Sequence, residues 1–381
     1  MKICMIFSDY SPGREADGIG DYTRILVETL RSRGHDVRVV TSSRYTGWDR
    51  KVVRISHGRW GIRELRKVAA YIKKGGFDAV HLQYTPVSYG FGVAFKLLPL
   101  LVRLYSRKTC FVTTFHTFVG GRWVSKVNAV LLSAFSHRII ATNDEIIYLI
   151  DKWLEAFKKK TALIPIGANI GPSDMSREEA RKKLELEYGI KSGAVVMVNF
   201  GFCYPGKGIE NIIKTVKNLS GRENYYIIMM GAVREQDADY RRGIQNLIRM
   251  NGLDGNFVWI PEVDSEKAAD VLMGSDIFIA PYDEGISIRR GSLMAALVNG
   301  LPVVSTAPRV PMPYFKSGEN VILAERGKVP GLVSAVERLS VDRDLRKKIS
   351  KNARELAKHF DWDLIAEETE KVYMEGIGRR T

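Results

Sequence analysis

Short runs of consecutive apolar residues alternate along the first half of the chain with longer segments that carry apolar residues at helical spacing. Uninterrupted apolar runs are typical of buried parallel strands, and the longer segments are typical of amphipathic helices. The pattern predicts strands at residues 2–8, 36–41, 79–82, 110–115, 138–141 and 162–165. It predicts helices at residues 20–33, 62–74, 89–105, 124–135 and 144–157. This alternation predicts a doubly wound, mostly parallel α/β sheet.

The second half of the chain repeats the alternation. Strands are predicted at residues 194–200, 225–230, 257–260, 277–280, 302–305 and 321–323. Helices are predicted at residues 208–219, 234–250, 265–273, 292–298, 331–339, 343–359 and 361–373. Between the halves, residues 167–173 have the composition of a linker, and Ser176 and Glu179 have the spacing of a capping box.

The two halves therefore predict two Rossmann-like domains, at residues 1–170 and 171–360, which face each other across a cleft. The last helix, within residues 361–381, is expected to pack back on the first domain. A chain of 381 residues is too long for one compact core, which favours the same division.

Several features of composition favour a cytoplasmic protein. The first residues run directly into a strand and lack the layout of a signal peptide. The longest apolar tract, residues 93–104, is interrupted by charged and proline residues and is too short to span a bilayer. Cys4, Cys110 and Cys203 form no metal or disulfide pattern, as expected in a reducing compartment.

The net charge of +15 is carried almost entirely by the first half. Residues 1–170 contain 27 Lys and Arg against 13 Asp and Glu, whereas residues 171–381 contain 31 against 30. Bulky apolar residues are interleaved with the cations at 95–108 and 122–126, a mixture that interfacial helices need. We therefore expect peripheral binding to an anionic membrane rather than to nucleic acid. For residues 95–108 the alternative is an ordinary buried helix with charged edges.

The most informative polar cluster lies between the apolar run at 276–281 and an Ala-, Leu- and Met-rich helix. The cluster contains Asp283, Glu284, Gly285, Ser287, Arg289, Arg290, Gly291 and Ser292. Ligands of open α/β sheets bind at the carboxyl ends of strands, and the free N–H groups of a helix start attract anions. The cluster therefore predicts a site for a negatively charged ligand.

A second strand–turn–helix segment, residues 200–208, includes Gly206, Lys207 and Gly208. Lys207 is placed where its ammonium can join a helix N-terminus in holding a diphosphate. The segment is not a Walker A loop, because Gly208 stands where that motif needs Ser or Thr. A surface lysine in a turn is the simpler alternative, but the neighbouring anion site in the same domain favours phosphate binding.

In the first half, Gly18 and Gly20 lie near a helix start, where glycine lets backbone approach a phosphate, although both also fit an ordinary turn. Thr23 at the third glycine position argues against a nicotinamide fingerprint.

His81 and His116 stand at strand ends and are expected to face the cleft, with His116 the stronger candidate. No metal site is predicted, because the Asp-x-Asp pairs lie at helix starts, where carboxylates act as caps.

In combination these motifs resemble the family-4 retaining glycosyltransferases with the GT-B fold, over nearly the whole chain. The shared marks are the Gly-Ile-Gly loop with its helix and residues 33–37, residues 164–169, the turn at 205–208, the Glu284–Gly285 helix start and the closing helix with Trp362. The resemblance implies transfer of a hexose from a nucleotide-sugar to a glycan or lipid-linked acceptor. It also implies retention of configuration, without a divalent metal or other cofactor.

The resemblance implies particular roles for the candidate residues. Lys207 would contact the diphosphate, Glu284 would bind hydroxyls of the donor sugar, and His116 would reach that sugar from the first domain. The backbone would approach the donor phosphates and sugar at Gly18, Gly20, Gly206, Gly285, Ile286, Ser287 and Ile288.

Two positions depart from the family pattern. Ser292 stands where a second glutamate usually binds ribose hydroxyls, and Phe202 stands where an arginine usually binds phosphate. Losing a charge-assisted hydrogen bond costs roughly 1.5–3 kcal/mol. We expect Arg289 or Arg290, but only one of them, to replace the missing arginine.

These departures leave a catalytically degenerate GT-B subunit as the main alternative, binding a nucleotide-sugar, a glycan or a partner protein without turnover. A nucleotide-sugar epimerase of the same fold is a second alternative. The favoured hypothesis is a glycosyltransferase of cell-surface polysaccharide or glycolipid synthesis at the inner face of the cell membrane. Its donor would be UDP- or GDP-linked, and the sequence distinguishes neither the base nor the sugar.

Overall fold

The computed structural model describes residues 1–10, 18–57, 59–90, 92–117, 123–261 and 263–378. The chain divides into two compact units. The first comprises Met1–Gly167 together with the C-terminal segment from Asp361, and the second comprises Ala168–Phe360. Each unit is built around one parallel sheet.

The first unit has a seven-stranded sheet with the order β3-β2-β1-β4-β5-β6-β7. Its strands are β1 (Lys2–Ile6), β2 (Asp36–Ser42), β3 (Val52–Ser56), β4 (Ala79–Tyr84), β5 (Cys110–Phe115), β6 (Arg138–Ala141) and β7 (Thr161–Leu163). Its helices in this part of the chain are α1 (Gly18–Ser32), α2 (Ile62–Gly75), α3 (Pro86–Tyr89), α4 (Leu98–Tyr105), α5 (Trp123–Phe135) and α6 (Asp144–Trp153). Two 3-10 turns, Ala94–Leu97 and Glu155–Lys160, precede α4 and follow α6.

Helices cover both faces of this sheet. The α1 side chains pack on one face, and those of α2, α4, α5 and α6 pack on the other. Strands buried on both faces read as continuous apolar runs, which is why the pattern located most of them.

Two parts of the first unit differ from the prediction. The strand β3 was not predicted, because it lies at the sheet edge, where the burial of its side chains is incomplete and Arg54 is exposed. The predicted helix at 89–105 is interrupted. Gly90, with φ +66°, ends α3, and Pro99 is accommodated in the first turn of α4, where its missing N–H costs no hydrogen bond.

The segment considered for a membrane interface is largely interior. Phe95 and Val102 are each 1% exposed, and so is Lys96. The Lys96 ammonium donates to the carbonyl oxygens of Gly90 and Gly92, at 2.7 Å each. The buried-helix alternative therefore describes residues 95–102.

The second unit has a six-stranded sheet with the order β10-β9-β8-β11-β12-β13. Its strands are β8 (Val195–Phe200), β9 (Tyr225–Met230), β10 (Phe257–Ile260), β11 (Ile277–Ala280), β12 (Val303–Thr306) and β13 (Ile322–Ala324). Its helices are α7 (Arg177–Tyr188), α8 (Ile209–Asn218), α9 (Ala238–Met250), α10 (Ser265–Gly274), α11 (Gly291–Val298), α12 (Val329–Val341) and α13 (Arg343–Ala357). The predicted capping box is present, because Ser176 and Glu179 each accept the backbone N–H of the other.

The last helix, α14 (Trp362–Gly378), belongs to the first unit. It packs against α1 and β5, and the ring of Tyr373 is fully buried there. Glu370 accepts from the Arg33 guanidinium at 2.7 Å. Gly376 packs so closely on Cys110 that a Cβ would lie 2.2 Å from the Cys110 Sγ. The first unit is thus assembled from both ends of the chain.

Candidate active site

The carboxyl edge of the second sheet brings two predicted loops together. β8 and β11 are neighbours, and the strand order reverses between them. Ligands of open α/β sheets bind at such a switch point. The turn with Lys207 follows β8, and the loop with Glu284 follows β11. The Asp283 N–H donates to the Gly206 carbonyl at 3.2 Å, which ties the two loops.

Two glycines hold these loops close to the strands. Gly208 has φ +78°, and a Cβ there would lie 1.9 Å from the Pro281 carbonyl oxygen. Gly285 has φ +87°, and a Cβ there would lie 2.1 Å from the Ala307 carbonyl oxygen. Both positions combine a left-handed backbone with a close backbone approach, which only glycine satisfies.

Lys207 is turned into the protein rather than toward solvent. Its side chain is 2% exposed, and its Nζ donates to the Gly201 carbonyl oxygen at 2.7 Å. Among the described residues, no carboxylate forms an ion pair with it. Burial lowers the pKa of Lys207 to about 7, and the positive charge of Arg290 acts in the same direction. The surface-lysine alternative is therefore wrong.

Arg290 is the second cation of the site. It precedes α11, its Nη1 donates to the Tyr204 hydroxyl at 2.6 Å, and its guanidinium lies over the Tyr282 ring at 4.6 Å from the centroid. Its Nη2 is 3.6 Å from Oε2 of Glu284. Two aromatic residues thus hold a guanidinium close enough to Lys207 to lower the pKa of that lysine.

The loop before α11 also supplies backbone donors. The N–H groups of Gly285 and Ile286 are already used, since they donate to the carbonyls of Tyr282 and Thr306 at 3.0 and 2.9 Å. Within the described part of the chain, five further N–H groups of this loop and helix start make no hydrogen bond. They belong to Glu284, Ser287, Ile288, Gly291 and Ser292. The side chains of Ile286 and Ile288 are fully buried and contribute packing.

Glu284 is bound by the neighbouring arginines. Its Oε2 accepts from Nη2 of Arg289 in an ion pair, while its side chain stays 45% exposed.

Ser292 lies near Lys207. A Cβ on Gly201 would be 3.5 Å from Nζ of Lys207 and 3.8 Å from the Ser292 Oγ. Ser292 and Lys207 therefore border the same space above Gly201.

Phe202, which stands where the family usually has an arginine, is contacted by a cation from another loop, Arg234. The Arg234 guanidinium lies over the rings of Phe202 and Tyr204, at 5.2 and 5.5 Å from their centroids. Asp237 accepts from the Arg234 Nε at 2.6 Å. Sequence reasoning missed Arg234 and Tyr204. The available signal was that Arg234 follows the carboxyl end of β9, the strand beside β8.

The two candidate histidines of the first unit differ in their surroundings. His116 directly follows β5 and is 6% exposed, and its Nε2 is 2.7 Å from Oε1 of Gln83. His81 is fully buried between Tyr373 and Thr114, at 2.7 and 2.6 Å from their hydroxyl oxygens. The expectation that His81 faces a cleft is wrong, because the sheet and α14 enclose it.

Gly18 and Gly20 lie in the first turn of α1, which begins at Gly18. Gly18 is exposed and Gly20 is buried. Most of the predicted phosphate loop before them, residues 11–17, lies outside the described residues.

The described part of the chain contains no cluster of three or more His, Cys, Asp or Glu side chains suited to a metal ion. It also contains no helix with the length and apolar character needed to cross a bilayer.

The two parallel-sheet α/β units of this chain match those of solved GT-B glycosyltransferases over nearly the whole length of both chains. The chain superposes on sucrose-phosphate synthase from Thermosynechococcus elongatus with a TM-score of 0.76, 19% identity and coverage of 98% of each chain. Anabaena HepE, in complex with UDP and glucose, also gives a TM-score of 0.76, with 16% identity over 97% of this chain and 98% of that chain. The predicted fold class is confirmed.

Models of known protein families match both units of the chain. Residues 16–171 match the model for Glycosyltransferase Family 4, and residues 180–356 match the model for Glycosyl transferases group 1. A phosphatidyl-myo-inositol mannosyltransferase from Mycolicibacterium smegmatis is 23% identical, over 98% of this chain and 93% of the relative. The two matches together cover most of the chain and make it a glycosyltransferase of the GT-B type, which confirms the resemblance found in its motifs.

Proposed function

We propose that this glycosyltransferase moves a hexose from a UDP- or GDP-linked donor to a glycan or lipid-linked acceptor, with retention of configuration and without a divalent metal. The observation that carries the proposal is the pairing of two cations, the buried Lys207 and the partly buried Arg290, at the switch point of the second sheet.

Two like charges held close together are unfavourable unless an anion joins them, above all when one of them is buried. A diphosphate supplies that anion. It can accept hydrogen bonds from both cations and from the free N–H groups at the start of α11, where the helix dipole also favours negative charge. This arrangement suits the leaving group of a nucleotide-sugar.

Two relatives support the substrate classes. Anabaena HepE has been solved with UDP and glucose, and the Mycolicibacterium smegmatis relative is a phosphatidyl-myo-inositol mannosyltransferase. A nucleotide-linked hexose and a lipid acceptor are therefore the first substrates to test.

In the proposed reaction, the acceptor hydroxyl attacks the anomeric carbon on the face from which the diphosphate leaves. The bond between that carbon and the phosphate oxygen breaks as the new C–O bond forms, and the departing oxygen takes the hydroxyl proton. Lys207 and Arg290 stabilise the developing negative charge. Glu284 and His116 bind hydroxyls of the donor sugar, so neither acts as a base.

Substitution of Glu284 by glutamine is expected to lower turnover roughly 100-fold or more with little change in thermal stability, because the loss falls on contacts with the reacting sugar. Release of UDP or GDP is measured with a panel of nucleotide-sugars and a lipid acceptor, in the presence of EDTA. The anomeric configuration of the product is read by NMR.

The matched control is Glu319→Gln, which also changes an exposed carboxylate paired with a cation in the second unit. It should retain wild-type turnover. Inversion of configuration, a requirement for a divalent metal, or full activity of the Glu284 variant would each contradict a named part of the proposal. Tight nucleotide binding without turnover of any donor would favour the non-catalytic alternative.

We place the enzyme at the inner face of the cell membrane, bound through the helices α2 and α4 of the first unit. These helices pack against each other, and Glu64 is the only acid of α2. Their outer faces expose the cations Arg63, Arg66, Lys67, Lys73, Lys74 and Arg103. Ile62, Leu104 and Tyr105 are each more than half exposed beside them. Basic residues with exposed apolar neighbours suit the surface of an anionic bilayer.

Reversing two charges on α2, with Arg66→Glu and Lys67→Glu together, is expected to weaken binding to phosphatidylglycerol-containing vesicles by at least about 2 kcal/mol, since each cation near the surface contributes about 1 kcal/mol. Sedimentation with vesicles at low and high salt measures the effect. The control pair, Lys347→Glu and Lys348→Glu, changes two exposed cations on α13 of the second unit. Equal losses for both pairs, or no binding by the wild type, would exclude this surface.

A further inference from the structure

A chain of buried polar side chains runs behind His116 in the first unit. The Gln83 Oε1 is 2.7 Å from the His116 Nε2, and the Gln83 Nε2 is 3.2 Å from the His81 Nε2. The Nδ1 of His81 is in turn 2.7 Å from the Tyr373 hydroxyl. Gln83, His81 and Tyr373 are all 0% exposed, so water cannot replace any of these partners.

The orientation of the Gln83 amide is determined by Met5. Its Nε2 lies 3.2 Å from the Met5 Sδ, and a thioether sulfur can only accept a hydrogen bond. The amide nitrogen therefore faces Met5 and His81, and the amide oxygen faces His116. Because a carbonyl oxygen can only accept, the His116 Nε2 must carry the hydrogen.

This leaves Nδ1 of His116 as the nitrogen with a lone pair. Among the described residues it has no hydrogen-bond partner, and His116 keeps 6% of its surface exposed. The groups around the ring also disfavour a second proton. The Tyr22 ring is nearly perpendicular to the imidazole, with the two centroids 4.8 Å apart, His81 lies behind Gln83, and no described carboxylate pairs with His116. Burial lowers the pKa of His116 to about 3.

We propose that Gln83 is a positioning residue that holds His116 in the neutral Nε2–H tautomer, so that Nδ1 accepts a hydrogen bond from a hydroxyl of the donor sugar. The contact with sugar rests on the proposed function, whereas the tautomer does not. A neutral acceptor suits glycosyl transfer, because positive charge develops on the sugar ring as the diphosphate leaves. An imidazolium at this position would repel that charge.

The tautomer is measured directly by NMR on protein labelled with 15N-histidine. The signals of His116 are assigned by their loss in His116→Gln. In the wild type, Nε2 should carry the proton and Nδ1 should be bare from neutral to mildly acidic pH. A protonated Nδ1 in the free enzyme would overturn the proposal whether or not the enzyme transfers sugar.

Two variants of Gln83 test its role. Gln83→Leu removes the acceptor, so the His116 signals should show a tautomer mixture, and kcat should fall by up to about 100-fold. Gln83→Glu places a carboxylate against Nε2, so it should raise the pKa of His116 and introduce a new ionisation in the pH profile of kcat.

The matched control is Thr113→Val, which removes another buried hydrogen bond of β5, between the Thr113 and Ser136 hydroxyls at 2.8 Å. It should lower stability but leave the His116 tautomer and the pH profile unchanged. If Gln83→Leu keeps a single Nε2–H tautomer, or if Gln83→Glu keeps the wild-type pH profile, Gln83 does not position His116. If the tautomer changes as expected but activity is unaffected, the sugar contact is wrong.

Discussion

Substitution of Arg290 by alanine should weaken binding of UDP or GDP by roughly 10- to 150-fold, whereas substitution of Arg289 should change it only a few-fold. The two arginines are adjacent in sequence but differ in surroundings. Arg290 is held against Tyr282 and Tyr204 close to Lys207, so it is pre-positioned for a diphosphate. Arg289 is instead committed to the Glu284 carboxylate. Calorimetric titration of both variants with UDP and GDP measures the difference.

Because each arginine serves as the control for the other, general loss of positive charge cannot produce this result. Arg290→Lys adds a further test. It keeps the charge but loses the planar fork that reaches Tyr204, so its affinity should lie between those of wild type and the alanine variant. Equal weakening by both alanine variants would mean that long-range attraction, rather than a shaped site at Arg290, holds the nucleotide. A larger loss at Arg289 would reverse the assignment.

The second large effect is a pH dependence of nucleotide binding that originates at Lys207. In the free enzyme, burial lowers the pKa of this ammonium to about 7. A bound diphosphate favours the charged form and therefore raises the pKa again. Below about pH 7 the lysine is already protonated, and binding is insensitive to this group. Above pH 7 binding must take up a proton, so the affinity should fall with rising pH, by up to tenfold per unit.

Titration at about pH 8 in two buffers of different ionisation enthalpy measures this proton uptake. Lys207→Arg should flatten the pH dependence, because a guanidinium stays charged throughout the range. The control Lys217→Arg, on the exposed side of α8, should behave as the wild type. Proton release on binding, or the same pH dependence in Lys207→Arg, would show that the ammonium does not meet the diphosphate.

Most of the fold could be predicted because parallel strands between two helical layers are apolar on both faces. The strands β9, β10 and β11 have the predicted bounds, 225–230, 257–260 and 277–280. The prediction was wrong where a strand is only partly buried and where a turn interrupts a mostly apolar segment. β3 has one side chain pointing to solvent at a sheet edge, and the mostly apolar residues 89–105 were predicted as one helix although Gly90 ends α3 and α4 begins only at Leu98.

The site could be predicted to the extent that it depends on the order of strands and helices along the chain. Lys207 and Glu284 each follow a strand and precede a helix, and this order alone places them at one sheet edge. What Arg290 does could not be inferred, because Tyr204 comes from the other loop of the site. Gln83 gave no signal either. Its role depends on contacts with Met5 and His116, which belong to other strands or follow them.

The return of α14 to the first unit affects the order in which the protein folds during synthesis. All of Ala168–Phe360 leaves the ribosome before α14 does, so the second unit can form its core while the first still lacks one covering helix. Until Tyr373 is made, His81 has no partner for its Nδ1, and the face of β5 at Cys110 is uncovered. The unit that is translated first is therefore the one that is completed last.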